Sequence, residues 1–285
     1  MRAGGLLLLM AAACAAQERA VIVIGYDGLS PDGLRKAKVP HIDKLREAGA
    51  WTYRARGVMP TVSSPNWASM IMGAGPEQHG VTTNDWMPDK YPFPPVCTGP
   101  GGIFPTVFGL LREQRPAAKI GIFHDWGGFG RLVEKGVANR LENPKGPQET
   151  VRRALEYLKE ASPALLFIHL DHVDHAGHEK GHGTREYYAS VEEADRLTGE
   201  IVRAAPAGTV FLLTSDHGGV GKKHGGETLA ELEIPWILSG AGVKRGELSI
   251  PVSTVDTAAT VAQLLGLQPH PCWTGRAVRE ALASR

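Results

Sequence analysis

The stretch Ser63-Ser64-Pro65 places two hydroxyl groups just before a short apolar segment. Serine is favoured at the residue before a helix and proline at the first helical position, so Ser64 is predicted to cap a helix that begins at Pro65. The free amides at a helix N-terminus also bind phosphate groups. A nucleophilic role for one serine is therefore the alternative, and this stretch alone does not decide between the two roles.

Carboxylates and imidazoles follow three apolar runs of the chain. Asp27 follows the first run, an Asp/His cluster at 171–178 follows another, and Asp216 with His217 follows a third, with His224 seven residues on. Carboxylate and imidazole groups together favour zinc, and a mixed set of this kind also admits manganese or iron. The residue types therefore predict a metal site.

The Asp/His cluster holds two pairs spaced four residues apart, Asp171 with His175 and Asp174 with His178. Either pair can face one ion from a loop or from a helical turn, so the spacing leaves both pairs open. With one pair counted, the chain offers six candidate ligands. Six ligands fit two ions with three ligands each better than one closed structural site. Two neighbouring metal ions suit in-line displacement at phosphorus, for which a serine hydroxyl is a matching nucleophile.

The elements that must position these groups follow from the apolar pattern. Strands buried on both faces of a parallel sheet are predicted at 21–27, 119–124, 164–171 and 209–216, with another apolar run at 234–239. Helical patterns lie at 40–50, 105–114, 147–160, 184–204 and 253–265. This alternation predicts an α/β fold, a three-layer α/β/α sandwich with a mostly parallel central sheet. Ligands bind at the carboxyl ends of such strands, where the Asp and His residues fall.

The first 16 residues combine one positive charge, a leucine-rich run and small residues, which is the layout of a secretory signal peptide. A buried N-terminal helix is the alternative. Cys14 stands where a bacterial lipoprotein carries its lipid, but the residue three before it, Ala11, is small, so lipid attachment stays open. We expect an exported protein, in the periplasm or outside the cell, with membrane attachment only through a lipid at Cys14.

The composition is that of a folded globular protein, with 285 residues of which 42% are hydrophobic and 21% are charged. The chain carries 31 basic and 30 acidic residues, and removal of the leader takes away Arg2 and no acid. The remaining charge is balanced, which gives no electrostatic support for binding a nucleic-acid polymer. The sequence leaves the oligomeric state open.

Residues 17–285 are predicted to form one catalytic domain. Within it, 83–105 is rich in proline, glycine and aromatic residues without a period, so it is predicted to be a long surface loop. Its Trp86, Tyr91 and Phe93 either line the site or pack against the body of the protein. Cys97 and Cys272 either pair in an oxidising compartment or remain free buried thiols.

Several segments match one pattern in chain order. They are the strand that ends at Asp27, PTVSSPNW at 60–67, GAGPEQHGVTTN at 73–84, DHAGH at 174–178, and TSDHGG at 214–219 followed by His224. Together they resemble the alkaline phosphatase superfamily and, within it, the type I phosphodiesterase / nucleotide pyrophosphatase branch. The resemblance covers nearly all of the chain after the leader.

The resemblance implies two zinc ions, each held by three side chains: Asp174, His178 and His224 for one, and Asp27, Asp216 and His217 for the other. It identifies Ser63, two residues before the proline, as a nucleophile that also contacts metal and forms a phosphoseryl intermediate, with Ser64 left as the helix cap. The resemblance also implies that Asn84 binds a phosphoryl oxygen of the substrate. Gly177 of DHAGH selects the pair Asp174 and His178.

The implied activity is hydrolysis of a small phosphoester, of phosphodiesterase or pyrophosphatase type. A phosphomonoesterase or phosphonate hydrolase of the same superfamily is the alternative, and a metal-binding surface protein without turnover is less favoured because no ligand or nucleophile is lost. A sulfatase would need an arginine two residues after the proline, a position that Trp67 occupies.

Three positions depart from the nucleotide-handling pattern. Ser64 stands where an aromatic residue commonly follows the nucleophile, Trp67 replaces a common histidine, and His169 replaces a common aromatic residue. The sequence therefore predicts phosphoryl transfer more firmly than it predicts a nucleotide substrate.

Overall fold

The computed structural model describes residues 20–90 and 92–283, and the predicted leader with Cys14 lies outside them, as does Tyr91. The described residues contain an eight-stranded sheet. Its strands are β1 Val21–Tyr26, β2 Ala50–Arg56, β3 Ile120–His124, β4 Arg140–Glu142, β5 Leu165–Leu170, β6 Val210–Ser215, β7 Glu233–Gly240 and β8 Gly246–Glu247. The five predicted apolar runs are all strands, and each predicted boundary lies within one residue of the observed one.

The strands follow the order β4-β3-β5-β1-β6-β7-β2-β8. Strand β1 lies between β5 and β6 and runs parallel to both. Only β7 is antiparallel to its neighbours among the strands described. The mostly parallel sheet predicted from the sequence is therefore confirmed, and β1 is buried along its whole length, as expected for a strand covered on both faces.

Helices connect the strands. They are α1 Pro31–Lys36, α2 Pro40–Ala48, α3 Ser63–Met72, α4 Pro76–His79, α5 Val107–Gln114, α6 Pro147–Ala161, α7 His172–Lys180, α8 Arg185–Ala204, α9 Leu229–Leu232 and α10 Asp256–Leu264, with short 3-10 turns at Pro100–Gly102, Phe129–Leu132 and Arg279–Ala281. The five helical patterns correspond to α2, α5, α6, α8 and α10, and the helix predicted to begin at Pro65 corresponds to α3.

The core has two halves, one on each face of the sheet. Successive side chains of a strand point to opposite faces, so Val21 and Val23 of β1 belong to one half and Ile22 and Ile24 to the other. Helices α3, α5 and α10 contribute to the first half, and α1, α2, α6, α7 and α8 to the second. The predicted α/β/α layering is confirmed.

The start of α3 differs from the prediction. The helix begins at Ser63, after the extended residue Val62, and not at Pro65. The first amides of a helix have no partner within it, so proline at the third position removes no helical hydrogen bond. No side chain of the preceding residue caps α3. The prediction that Ser64 is the cap is therefore wrong, because Ser64 is the second residue of the helix. The backbone amide of Ser64 finds its partner outside the helix, in Asn84 Oδ1 at 2.7 Å.

Helix α7 carries the Asp/His cluster, for which the sequence left a loop or a helical turn open. It is nine residues long, and only three of them are buried. A helix with so little apolar surface leaves no clear hydrophobic period in the sequence. Its regular turn places residues four apart on one face.

The segment 83–105 contains no α-helix and no strand of the sheet among its described residues. Trp86 is buried in the core below it, whereas Phe93 is 38% exposed. A disulfide joins Cys97 to Cys272, which decides between the two states left open for these thiols. Across residues 20–90 and 92–283, no helix has both the length and the hydropathy that a membrane crossing requires.

Candidate active site

The predicted site residues meet at the carboxyl edge of the sheet. Asp27 directly follows β1, Asp216 directly follows β6, and α7 begins two residues after β5. Because β5, β1 and β6 are adjacent and parallel, their carboxyl ends bring these groups to one edge. The amide of Gly28 donates to Asp216 Oδ1 at 3.1 Å, which ties the ends of β1 and β6 together.

One group of possible metal ligands lies deepest at this edge. The His217 Nε2 atom lies 3.3 Å from Asp27 Oδ1 and 3.2 Å from Asp216 Oδ2. One ligand atom from each of the three residues falls within 4.8 Å of the others, and all three side chains are buried. This group therefore has the spacing required to hold one cation.

A second group lies nearer the surface. The Nε2 atom of His178 is 3.2 Å from Asp174 Oδ2 and 3.1 Å from the Nε2 atom of His224. His224 stacks on His217 with ring centroids 3.7 Å apart, so the two groups are neighbours. Asp174 also forms a cluster with His217 and His224 and another with Asp27 and Asp171.

Of the two Asp/His registers, only Asp174 with His178 forms a close pair. The ring of His175 is exposed and its Nε2 atom lies 3.2 Å from Glu179 Oε1. Asp171 stands at the start of α7, close to the carboxylates of Asp27 and Asp174. The structure therefore brings together all six predicted ligands and adds Asp171 as a neighbouring carboxylate.

The three histidines of these groups share one orientation. Each Nδ1 atom lies near a backbone carbonyl oxygen: His217 at 2.8 Å from Gly218, His224 at 2.9 Å from Thr61, and His178 at 3.0 Å from Lys222. A carbonyl oxygen only accepts, so Nδ1 carries the hydrogen and the neutral ring presents the Nε2 lone pair. Histidines that ligate metals are held in this way.

The buried carboxylates have oxygen atoms without hydrogen-bond partners. Within the described chain these include Asp27 Oδ1, Asp174 Oδ1 and Asp216 Oδ2. A buried charged oxygen without a partner is costly, and a divalent cation supplies one. The donor set and these unpartnered atoms therefore fit the metal predicted from the sequence, while nothing in the geometry distinguishes zinc from manganese or iron.

The charges in the cluster perturb each other strongly. Burial and the charge of Asp27 raise the pKa of Asp174 to about 6, and the same two causes raise that of Asp216 well above its usual range. Burial lowers the pKa of His217, but the carboxylates of Asp216 and Asp27 outweigh burial and raise it to about 10. Without a cation, protons must therefore offset the crowded negative charge.

Ser63 lies beside these groups at the N-terminus of α3. Its side chain is buried, and its Oγ atom is 3.4 Å from His217 Nε2. The next residue, Ser64, donates its amide to Asn84 Oδ1, so Asn84 sits over the same helix end. Because Oδ1 is bound to the helix, the two hydrogens of the Asn84 amide group remain available as donors.

The turn after β3 supplies contacts that the sequence prediction missed. Asp125 Oδ1 accepts the amide of Asp171 at 2.6 Å, and Phe129 packs against Trp67 and His169. Arg131 Nη2 donates to the backbone carbonyl oxygen of Asn84 at 2.8 Å. The sequence did contain a signal that this turn belongs to the site, since His124 and Asp125 are polar residues at the end of a predicted strand.

Two family models match this chain. The model for type I phosphodiesterase / nucleotide pyrophosphatase matches residues 21–101, and the model for the metalloenzyme superfamily matches residues 133–269. The first match contains Asp27, Ser63 and Asn84. The second contains the remaining predicted metal ligands.

Curated relatives agree with these matches. The bis(5′-adenosyl)-triphosphatase enpp4 of Mus musculus is 24% identical over 220 residues, which cover 70% of this chain and 46% of the relative. An uncharacterized pyrophosphatase/phosphodiesterase of Schizosaccharomyces pombe is 25% identical over 226 residues, covering 70% of this chain and 45% of the relative. The chain spans about half the length of these relatives.

Solved structures share the fold. The inactive murine ectonucleotide pyrophosphatase / phosphodiesterase 5 in complex with AMP superposes with a TM-score of 0.77 at 15% identity, over 93% of this chain and 100% of that one. A mutant of alkaline phosphatase PafA superposes with a TM-score of 0.78 at 12% identity, over 93% of this chain and 99% of that one.

Proposed function

We propose a function from the premise that this chain belongs to the alkaline phosphatase superfamily, in its type I phosphodiesterase / nucleotide pyrophosphatase branch. We infer that it is a metal-dependent hydrolase of small phosphoesters, of phosphodiesterase or pyrophosphatase type. The observation that carries this inference is the position of the Ser63 hydroxyl. It lies at the N-terminus of α3, and its Oγ atom is 3.4 Å from the Nε2 atom of His217, one of the clustered carboxylates and imidazoles.

Two zinc ions are proposed for the site, one held by Asp174, His178 and His224 and the other by Asp27, Asp216 and His217. The support is the shared orientation of the histidines and the unpartnered carboxylate oxygens. When bound, such cations supply positive charge that favours the ionised serine hydroxyl, and they offset the charge of phosphoryl oxygens.

Ser63 is the proposed nucleophile. Its Oγ atom loses its proton and forms a bond to phosphorus while the bond from phosphorus to the leaving oxygen breaks, and the leaving oxygen takes up a proton as the first product departs. The phosphoryl group that stays on Ser63 still carries the second ester group of the substrate. Water then attacks phosphorus and the Ser63 oxygen leaves, so one water molecule is consumed in each cycle. The Asn84 amide group donates to a phosphoryl oxygen, and the amides that begin α3 add their partial positive charge.

A small phosphodiester is the proposed substrate class, and a nucleic-acid polymer is not. The mouse relative is named as a bis(5′-adenosyl)-triphosphatase. In this chain His169 has no exposed surface, so its ring offers no platform on which a nucleotide base can stack. We therefore propose a diester whose leaving group need not carry a base.

Purified protein with zinc, assayed on an aryl phosphodiester and the matching monoester, tests this proposal. We expect hydrolysis with a higher kcat/KM for the diester, and loss of activity on metal removal. Ser63→Ala should lower kcat by more than about 10³-fold, because the nucleophile is lost. Its metal content should stay near that of the wild-type protein.

Ser64→Ala is the matched control for this test. It removes the neighbouring hydroxyl but keeps the backbone amide that binds Asn84, so activity should remain close to wild type. A fully active Ser63→Ala, or a folded wild-type protein that binds no metal, would overturn the mechanism. A higher kcat/KM for the monoester would reassign the substrate class within the same superfamily.

Export is part of the proposal. The leader-like residues 1–16 support it, and so does the disulfide between Cys97 and Cys272, since disulfides persist in oxidising compartments. Periplasmic location and lipid attachment at Cys14 are tested by fractionating cells and measuring the mass of the mature N-terminus. Accumulation of the protein in the cytoplasm with residues 1–16 retained would contradict export.

A further inference from the structure

Two of the positions that depart from the family pattern meet at one carboxylate oxygen. The indole Nε1 atom of Trp67 donates to Asp27 Oδ2 at 2.9 Å, and the Nε2 atom of His169 lies 3.3 Å from the same oxygen. The two rings touch, with centroids 4.6 Å apart. Trp67 and His169 come from different elements, α3 and β5, so only the fold brings them together.

The position of the Trp67 ring is fixed by the sheet. Gly25 of β1 has no side chain, and a Cβ atom there would lie 2.5 Å from the Trp67 ring. Phe129 and Phe167 pack edge-on against the ring, and Trp67 has no exposed surface. The indole nitrogen is only a donor, and in this fixed position its N–H group points at Asp27 Oδ2.

The other oxygen of the same carboxylate has no hydrogen-bond partner in the described chain. This Oδ1 atom is the one that faces His217, at 3.3 Å. The two oxygens of the Asp27 carboxylate therefore have different surroundings. Oδ2 is hydrogen-bonded to the Trp67 and His169 rings, and Oδ1 faces the other proposed metal ligands. A fixed partner on one oxygen holds the orientation of the whole carboxylate.

We propose that Trp67 and His169 are positioning residues for Asp27, which bind Oδ2 so that Oδ1 is presented to the cation. The proposal rests on the metal site of the proposed function. The proposal gives one role to two positions that depart from the family pattern. Trp67 replaces a common histidine and His169 replaces a common aromatic residue, and both side chains donate a hydrogen bond to Asp27.

Zinc affinity of the folded protein tests this role without relying on turnover. Dissociation constants are measured at 25 °C by competition with a chromophoric chelator, for wild type and for Trp67→Phe, which keeps an aromatic ring but removes the donor. We expect one zinc ion to bind about 10- to 100-fold more weakly in the variant, and the other to be little changed.

Trp236→Phe is the matched control. Trp236 is also fully buried, and its Nε1 atom donates to Thr257 Oγ1 at 3.3 Å, away from the proposed ligands. This variant should lower the thermal midpoint of the zinc-free protein but leave both zinc dissociation constants unchanged. Equal losses of zinc affinity in Trp67→Phe and Trp236→Phe would show a packing effect and would overturn the proposal.

His169 gives a second test that does not depend on the folding of Trp67→Phe. His169→Leu removes the donor, whereas His169→Gln keeps an amide donor of similar reach. We expect zinc affinity to fall by about 10-fold or more in the leucine variant and to be largely restored in the glutamine variant. Unchanged affinity in His169→Leu would overturn the role of His169. A wild-type protein without zinc affinity would instead refute the proposed function.

Discussion

Ser63 and Ser64 are adjacent but contribute different atoms to the site. Ser63 presents its hydroxyl to His217, and Ser64 uses its backbone amide to hold Asn84. Both residues belong to the first turn of α3, where amides are free of helical partners. The proposed nucleophile and the proposed phosphoryl-binding residue are therefore connected through one helix end.

Asn84→Ala tests the second of these roles. Loss of the amide donor should lower kcat/KM by about 10²-fold or more, because one donor to a charged oxygen in the transition state is lost. Metal content should not change, since Asn84 belongs to neither ligand group. The measurement is steady-state kinetics together with metal analysis.

Asn84→Asp is the companion variant. It keeps an oxygen that can accept the Ser64 amide but has no N–H donor, and it adds a negative charge. We expect it to be at least as impaired as Asn84→Ala. Retention of wild-type kcat/KM in the aspartate variant would show that Asn84 acts only by accepting from the helix.

Two short helices, α3 and α7, supply Ser63, Asp174 and His178 to the site. The first turn of α3 is hydrogen-bonded to Asn84, and no neighbouring side chain caps it. Helix α7 carries Asp174 and His178 one turn apart. Near the start of the segment 83–105, Asn84 is hydrogen-bonded by Ser64 and Arg131, and further along Cys97 is tied to the C-terminal part of the chain by the disulfide. The segment is thus held at Asn84 and at Cys97.

Removal of this disulfide tests how much the tie contributes. Replacement of both Cys97 and Cys272 by serine should lower the free energy of unfolding by about 2–4 kcal/mol, because the unfolded chain regains freedom over a separation of 175 residues. Urea denaturation measures the change, and limited proteolysis should show faster cleavage within 83–105. Equal stability and equal cleavage of variant and wild type would contradict a structural role for the bond.

For the whole molecule, three histidines outside the ligand groups contribute to how stability responds to acid: the buried His79 and His124 and the half-buried His172. Burial lowers the pKa of His79 to about 3 and that of His124 and His172 to about 4. These rings are neutral in the folded protein but bind protons near pH 6.5 when the chain unfolds. Their contribution to stability is therefore complete above pH 6.5 and is lost as the pH falls toward 4.

His79 allows this contribution to be isolated. Its Nδ1 atom accepts from the Val81 amide at 3.0 Å, and an asparagine oxygen can replace that acceptor without titrating. Between pH 7 and pH 5 wild type should lose about 2 kcal/mol more stability than His79→Asn. Urea denaturation in the presence of a chelator measures both proteins free of metal. A pH dependence in His79→Asn equal to that of wild type would contradict the assignment.

Much of the fold was predictable because its signals are local. The apolar runs and helical periods depend on neighbouring residues, and they predicted five strands and five helices of the α/β/α fold. Short polar elements such as α7 were not predicted, since they bury few side chains. The site residues were found in the sequence through their chemistry and their place after strands, but their roles as ligands and nucleophile stay predictions.

By itself, the sequence determined the layered α/β architecture, the presence of carboxylates and imidazoles at strand ends, and the resemblance to a metal-dependent superfamily. Only the tertiary structure decided where α3 begins, which of two thiol states holds, and which groups contact Asp27. Each of these depends on residues at least 20 positions apart: Ser64 with Asn84, Cys97 with Cys272, and Asp27 with Trp67 and His169. Local periodicity carries no information about such pairs, because packing of the two core halves against the sheet creates them.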